Sequence, residues 1–423
     1  MKVLIPIFLF ISMLSMVGCS GGEADYTLEE VNPDLSGKFI DDAVEGLEYS
    51  RSNGDNGLTL SGGNFIYKRG EQVSFHIGAL VLGESLGGLI MTPRELAGAT
   101  HMIEEPVINN RVRLMLAFDR DLERIGIQID DTLREQAKGW GKSIDFTKNE
   151  SDFTVEVEHV TNGEITDLPT ASEANTHFAK TLRCAYSGAY QGAWDVPDSN
   201  ETDGYVGVML QANGTVIVMG DGQTVNGQEE SVIYVVGDHD INNKSYVFNP
   251  NVFYYYDRAQ GTLADVTDGV SISGTGVSKA YDHIMGTFVN GTQNGGYEVQ
   301  RADASSDAAY RFTGFGWDTT PGSYPIGMII MDVDPDGKVS GLIHYIPDIS
   351  IQPQLHGTVD FLSGDVNITV DAPDQSTLPV VSSVRGAINF NDTSTASTLA
   401  WTTTEGEELG SVQLDGCQLQ AVE

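Results

Sequence analysis

The sequence predicts a mainly β protein with one helical interruption. Three observations carry this: glycine recurs every few residues from Cys184 onward, β-branched and aromatic stretches lie between those glycines, and helical periodicity is confined to residues 93–183. The chain divides into a leader (1–19), a polar tether (20–36), a small antiparallel β-sandwich (37–92), a mostly helical segment (93–183) and a large antiparallel β-barrel or sandwich domain (184–423).

The leader begins with Lys2 and continues through an apolar run, Val3 to Val17, that is too short to span a bilayer comfortably. It ends in Leu14-Ser15-Met16-Val17-Gly18-Cys19, followed by the polar Ser20-Gly21-Gly22. This ending resembles the lipobox of bacterial lipoproteins, with Met16 where that pattern usually has leucine. The resemblance implies cleavage before Cys19, a diacylglycerol on its thiol, and a place in the cell envelope, expected to be the outer membrane. No later apolar run is long enough to cross a membrane, so the lipid is the expected anchor. Ser20 to Ser36, with its glycines, acidic residues and Pro33, reads as a flexible spacer that provides reach.

Within 37–92, Lys38-Phe39-Ile40, Leu47-Glu48-Tyr49, Phe65-Ile66-Tyr67 and Val73 to Ile77 read as short strands. Asn53 to Gly57, Ser61 to Asn64 and Lys68 to Glu71 are the turns between them. The order Gly37, Asp42, Gly46, Tyr49, then Gly63, Asn64, Phe65, Tyr67, resembles the carboxypeptidase-regulatory-like (prealbumin-type) sandwich. The stretch GNFIYKRGEQVSFHIGALVLG, with Thr92-Pro93 and Leu96-Ala97-Gly98 after it, is similar to the amino-terminal part of uncharacterised proteobacterial surface lipoproteins. Such modules are generally non-catalytic, so the resemblance implies a fold and a setting rather than a reaction.

In the helical segment, Val107 to Leu122 and Asp130 to Lys138 are expected helices, and the alternating Phe153-Thr154-Val155-Glu156-Val157 is an expected strand. Thr170 and Glu173 stand at capping-box spacing and start a further helix that delivers the chain to Cys184.

Beyond Cys184 an internal similarity recurs at a spacing of roughly 120 residues. Gly192-Ala193-Trp194-Asp195, Gly207 to Leu210 and Asn213-Gly214-Thr215-Val216 are followed, in order, by Gly316-Trp317-Asp318, Gly327 to Ile330 and Asp336-Gly337-Lys338-Val339. Either meandering hairpins repeat such patterns unaided, or half of a barrel or sandwich pair is duplicated. With Cys19 lipidated, Cys184 and Cys417 remain, and in an exported chain they are expected to pair and clasp the two ends of this domain.

Composition bounds the partners. Net charge is −37, from 23 basic and 60 acidic residues. Nucleic acid is excluded because no basic footprint exists for phosphate. The acidic surface suits a saline exterior or neutralisation by divalent cations.

No motif points firmly to catalysis, and no catalytic residue is assigned. Gly83-Glu84-Ser85-Leu86-Gly87 matches the serine-hydrolase elbow, but that elbow joins a parallel strand to a helix. Here short antiparallel strands precede it, and Gly87, Gly88 and Pro93 oppose a helix after it. Asp332, Asp334 and Asp336-Gly337 open a calcium-loop pattern and are the candidate metal ligands; Ile343 stands where an EF-hand needs its closing glutamate, and a plain Asp-Gly turn explains the same residues. Asp119 and Asp121 are a weaker pair of the same kind, and Asp238-His239-Asp240 reads as a polar turn. No cofactor is expected, apart from calcium at those aspartates. The histidines are dispersed, without zinc spacing.

Tyr254, Tyr256, Trp194 and Trp317 are the candidate ligand-binding residues, because a strand sends alternate aromatics to opposite faces and one face can stack sugar rings or grip a partner. The leading expectation is a non-catalytic, lipid-anchored envelope protein that presents its β domain for binding or adhesion to a glycan or another envelope protein. A barrel carrying a small apolar ligand and a glycan-active hydrolase using paired carboxylates stand as alternatives.

Overall fold

Strands this short bury only one face each, so they gather in layers against a shared core. In the computed structural model this happens three times along the chain. The structure describes residues 32–98, 101–119, 126–197, 204–222, 231–242, 245–248, 253–257, 262–265, 270–276, 283–290, 293–302, 308–318, 325–345, 352–371, 381–390, 393, 396–403 and 405–419. Cys19 and Asp121 lie outside them. Asp34–Glu423 forms one compact unit.

The first layer pair comprises β1 (Leu35–Phe39), β2 (Val44–Glu45), β3 (Glu48–Arg51), β4 (Asn56–Leu58), β5 (Asn64–Tyr67), β6 (Gln72–Ile77), β7 (Leu80–Leu86) and β8 (Ile90–Met91). One sheet runs β5-β1-β8, with β1 and β8 parallel, and the other runs β4-β3-β6-β7. Phe75 lies between them, its ring centroid 4.5 Å from Phe39 and 5.2 Å from Phe65.

The helical segment holds α1 (Pro93–Ala97), α2 (Pro106–Leu116), the two-residue β9 (Ile127–Gln128), α3 (Asp131–Ala137), α4 (Glu150–Val160) and α5 (Ala171–Tyr186). Its residues Leu114, Phe118, Trp140 and Phe153 share one core with Phe39 and Phe75, and β9 pairs in parallel with β2. Residues 37–92 and 93–183 therefore fold against each other. The expected capping box is present on α5: the Thr170 hydroxyl accepts from the Glu173 N–H, and the Glu173 carboxylate accepts from the Thr170 N–H.

Two expectations are corrected here. Residues 153–157 are helical, because Phe153, Val157 and Val160 form the buried stripe of α4 while Val155 is 67% exposed. The helix beginning at Pro106 ends at Leu116 rather than Leu122.

The remaining strands build two barrels in succession. The first uses β10 (Gly188–Asp195), β11 (Gly204–Leu210), β12 (Thr215–Gly222), β13 (Ser231–Asp240), β14 (Ser245–Phe248), β17 (Val270–Gly276), β18 (His283–Asn290) and β19 (Gln293–Ala302). Each pairs antiparallel with the next, and β19 returns to β10, so the eight strands form a ring. A hairpin of β15 (Phe253–Asp257) and β16 (Thr262–Asp265) is inserted between β14 and β17. The second is a closed barrel of β20 (Tyr310–Asp318), β21 (Pro325–Val333), β22 (Lys338–Tyr345), β23 (Gln354–Val359), β24 (Asp365–Asp371), β25 (Ser383–Ala387), β26 (Ser397–Thr402) and β27 (Glu408–Gln418).

The internal similarity thus aligns β10, β11 and β12 with β20, β21 and β22. The tight turns at Gly214 and Gly337 correspond, and both glycines have positive φ. Gly207 and Gly327 do not correspond. Gly207 faces outward, where a Cβ would sit 3.1 Å from the Met328 methyl, whereas Gly327 shares the inner face of β21 with Ile329.

The barrels meet through the outer faces of these matching strands. Ala189, Ile330 and Leu342 form a small core between them, and Gln211 donates to the Thr313 carbonyl at 3.3 Å. The Cys184–Cys417 disulfide joins α5 to β27 across a sequence separation of 233 residues. No helix among the described residues is long and apolar enough to cross a membrane.

Candidate functional site

Eight strands enclose a space that side chains just fill or that one small ligand can occupy. The two barrels use it differently. In the second, Phe312, Ile343, Ile368, Leu399, Trp401 and Val412 are all buried in the interior. Tyr310, Phe361 and Phe390 meet at one end, with centroids 4.9 to 5.7 Å apart. This barrel is a packed core.

One end of the first barrel is closed in the same manner. Phe178, Leu182 and Tyr186 of α5 share a core with Tyr190, Leu210 and Val216. The Tyr190 hydroxyl donates to the Tyr186 carbonyl at 2.9 Å, and Arg301 donates to the carbonyls of Ala185 and Ser187. His239 lies at this end against Tyr186, and burial pushes its pKa down to about 4, leaving a neutral ring. Arg94 of α1 holds the β13–β14 turn from outside by donating to the carbonyls of Ile241 and Asn242.

The other end, called the mouth below, is lined differently among the described residues. Its inner face carries glycines opposite aromatics: Gly286 faces Tyr297 and Gly295 faces Phe288 across the β18–β19 ladder. A Cβ on either glycine would fall within 2.3 Å of the opposing ring, so each ring lies flat along the wall on a residue without a side chain. The Tyr297 hydroxyl donates to the Ser273 carbonyl at 2.8 Å, which pins that ring to the wall. Trp194, beside Tyr297 in the β10–β19 register, meets Phe288 edge to face at 5.5 Å and 88°. Trp194, Phe288 and Ile272 are only partly buried although they point inward. Gly220 lies across from Trp194 with its nearest neighbours at 3.7 to 3.9 Å, so a side chain has room there.

The wall divides at this mouth. β14 bonds to β13 at His239 and Asp240, near the closed end, while β15 bonds to Ser231–Val235 at the open end. The β15–β16 hairpin therefore extends the wall at the mouth, and no ladder between β16 and β17 is found among the described residues.

Of the sequence candidates, Trp194 lines the mouth. Tyr254 and Tyr256 sit on the hairpin beside it, opposite Tyr234 and Val232 in register, and their side chains lie outside those described, as does that of Trp317 on β20. Asp332, Asp334 and Asp336 do not converge. Asp332 lies on the outer face of β21 in a bidentate pair with Arg311, at 2.7 and 2.8 Å. Asp334 accepts from the N–H groups of Asp336 and Lys338 and so holds the turn, and Asp336 is exposed. No group of three or more His, Cys, Asp or Glu suited to a metal exists among the described residues. Ser85 lies within β7, paired antiparallel with Val73, which is not an elbow. Phe288, Tyr297, Ile272 and Gly220 escaped the sequence reading, although Gly286-Thr287-Phe288 and Gly295-Gly296-Tyr297 carry the signal: glycine and aromatic two apart, twice in one hairpin.

Fold and site together define a tandem-barrel protein: one barrel has a packed interior, and in the other the inward Trp194, Phe288 and Ile272 are only partly buried among the described residues. No protein-family model matches the chain, and no curated protein does. Among solved structures it is similar to kievitone hydratase from Nectria haematococca at 8% identity and a TM-score of 0.19, covering 57% of this chain and 91% of that one. A likeness at that score carries no argument about fold or activity.

Proposed function

We propose that this is a lipid-anchored cell-envelope binding protein, non-catalytic, whose first barrel takes a small apolar ligand at its mouth. The observation that supports it best is the contrast between the barrels. Phe312 and Trp401 are fully buried inside the second barrel, whereas Trp194 and Phe288, also inward, are only partly buried over a glycine-lined wall in the first. Uncovered apolar surface facing a concavity is the usual mark of a ligand site. The anchor is Cys19, and the spacer that follows gives the body reach from the membrane.

Fluorescence titration of the full chain with the uncharged probe N-phenylnaphthylamine tests the binding. Saturable enhancement that is lost in Gly220→Leu, where the new side chain fills the space beside Trp194, is the expected result. Binding that is absent, or unchanged in that variant, would sink the reading. Mass spectrometry of the amino terminus tests the anchor: a diacylated Cys19 is expected, and an intact leader refutes it.

A further inference from the structure

We propose that the contact between the two barrels holds a binding site for copper(I), a soft monovalent cation, built from the imidazole of His344 and the thioethers of Met328 and Met219 over Gly207. The site is separate from the mouth and does not depend on what binds there.

Four strands bring these residues together. On the second barrel, Met328 of β21 and His344 of β22 are direct partners in an antiparallel ladder, so they share its outer face. On the first barrel, Gly207 of β11 and Met219 of β12 are partners in the same way. The missing side chain at Gly207 lets the two faces approach. A Cβ there would lie 3.1 Å from the Met328 methyl and 3.9 Å from His344 Nδ1. All three side chains are buried, with Met328 at 0%, Met219 at 1% and His344 at 3% exposure.

Methionine alone would be ordinary filling for such a contact. The histidine is not. Its Nε2 is cut off from water and has no hydrogen-bond partner among the described residues. Native interiors rarely leave a polar atom in that state, and a bound ion is one arrangement that resolves it. Burial also pushes the ring's pKa down to about 4, so at neutral pH it is uncharged and keeps a lone pair for a metal.

The donors select the ion. Thioether sulfur with imidazole is a soft set suited to copper(I), whereas calcium and magnesium take oxygen. The three ligands are also neutral. Because the desolvation cost of a buried ion rises with the square of its charge, one positive charge is favoured over two.

The test uses the full chain carrying Cys19→Ser, which removes the one thiol outside the disulfide. Copper(I) is supplied as its acetonitrile complex under nitrogen, and free ion is removed by dialysis. One copper retained per chain is expected, with two sulfur neighbours and one nitrogen by X-ray absorption and a raised melting temperature. Met219→Leu combined with Met328→Leu nearly conserves the volume of the contact and is expected to weaken binding at least tenfold, as is His344→Phe. Far-ultraviolet circular dichroism checks that these variants are folded, and the sulfur neighbours are read without any variant. No retained copper, a shell of nitrogen and oxygen alone, or unchanged affinity in both variants overturns the site. Zinc held as tightly as copper, and lost in the same variants, overturns the choice of a soft ion.

Discussion

Arg311 and Asp332 form a closed bidentate pair on the outer wall of the second barrel, buried where that wall meets the first. Burial alone lowers the arginine pKa, and the charge and hydrogen bonds of Asp332 more than reverse this, leaving it above its ordinary value. The remaining Arg311 nitrogen donates to the Ser187 carbonyl at 3.2 Å, so the pair also links the two barrels.

Removing one partner of such a pair leaves an uncompensated buried charge. Asp332→Ala is expected to cost about 3–5 kcal/mol in urea unfolding. The double variant Arg311→Met, Asp332→Leu is expected to recover most of that loss. Additive losses in the two single variants, with no recovery, would show that the residues act independently.

The disulfide closes a loop set by its sequence separation of 233 residues. In the chain-entropy model that constraint stabilises by about 5 kcal/mol. Cys184→Ser is expected to lower the urea midpoint without changing far-ultraviolet circular dichroism in water. An unchanged midpoint would mean that the unfolded chain is not restrained by the bond.

His177 of α5 reaches Asp41 at 3.2 Å, with Asp42 at 3.9 Å on the other ring nitrogen. Burial lowers the histidine pKa, but the two carboxylates raise it further, from 6.5 to about 9. Burial also pushes the Asp41 carboxyl upward, against the pull of the His177 ring. A folded-state pKa above the unfolded one means the contribution is complete below about pH 6.5 and disappears as pH rises through 9. Urea midpoints are expected to fall across that window in the natural chain and to stay level in His177→Phe. A midpoint that rises across the window contradicts the assignment.

Two sequence motifs are expected to be chemically silent. A fluorophosphonate probe should leave Ser85 unlabelled, since its backbone is held in the β6–β7 ladder. Calcium should leave the melting temperature unchanged, whereas Asp334→Ala should lower stability by about 1 kcal/mol through the two turn bonds it removes. A calcium-dependent rise in melting temperature that Asp334→Ala abolishes would restore the metal reading.

What could be read in advance depended on how local each signal was. The α5 cap needs only Thr170 and Glu173, three residues apart, and it was legible. The cysteine pairing followed from having two thiols left in an exported chain. The α4 stripe was masked because Phe153, Val155 and Val157 alternate like a strand, and only the burial of Val160 restores the helical period. Asp332 read as a turn ligand because its true partner, Arg311, stands 21 residues upstream and meets it only when β20 and β21 pair. The mouth was least legible. Its aromatics come from β10 and β18, nearly a hundred positions apart, and the glycines beneath them look like ordinary turn residues until a ladder sets them opposite rings.

The contact between matching strands has one more consequence. Two separate copies of a single barrel, related by a twofold axis, would meet through the same patch on each, as β10–β11 and β20–β22 do within this chain. Unfolding either barrel would strip the cover from this patch on the other, so the two are expected to melt as one cooperative unit.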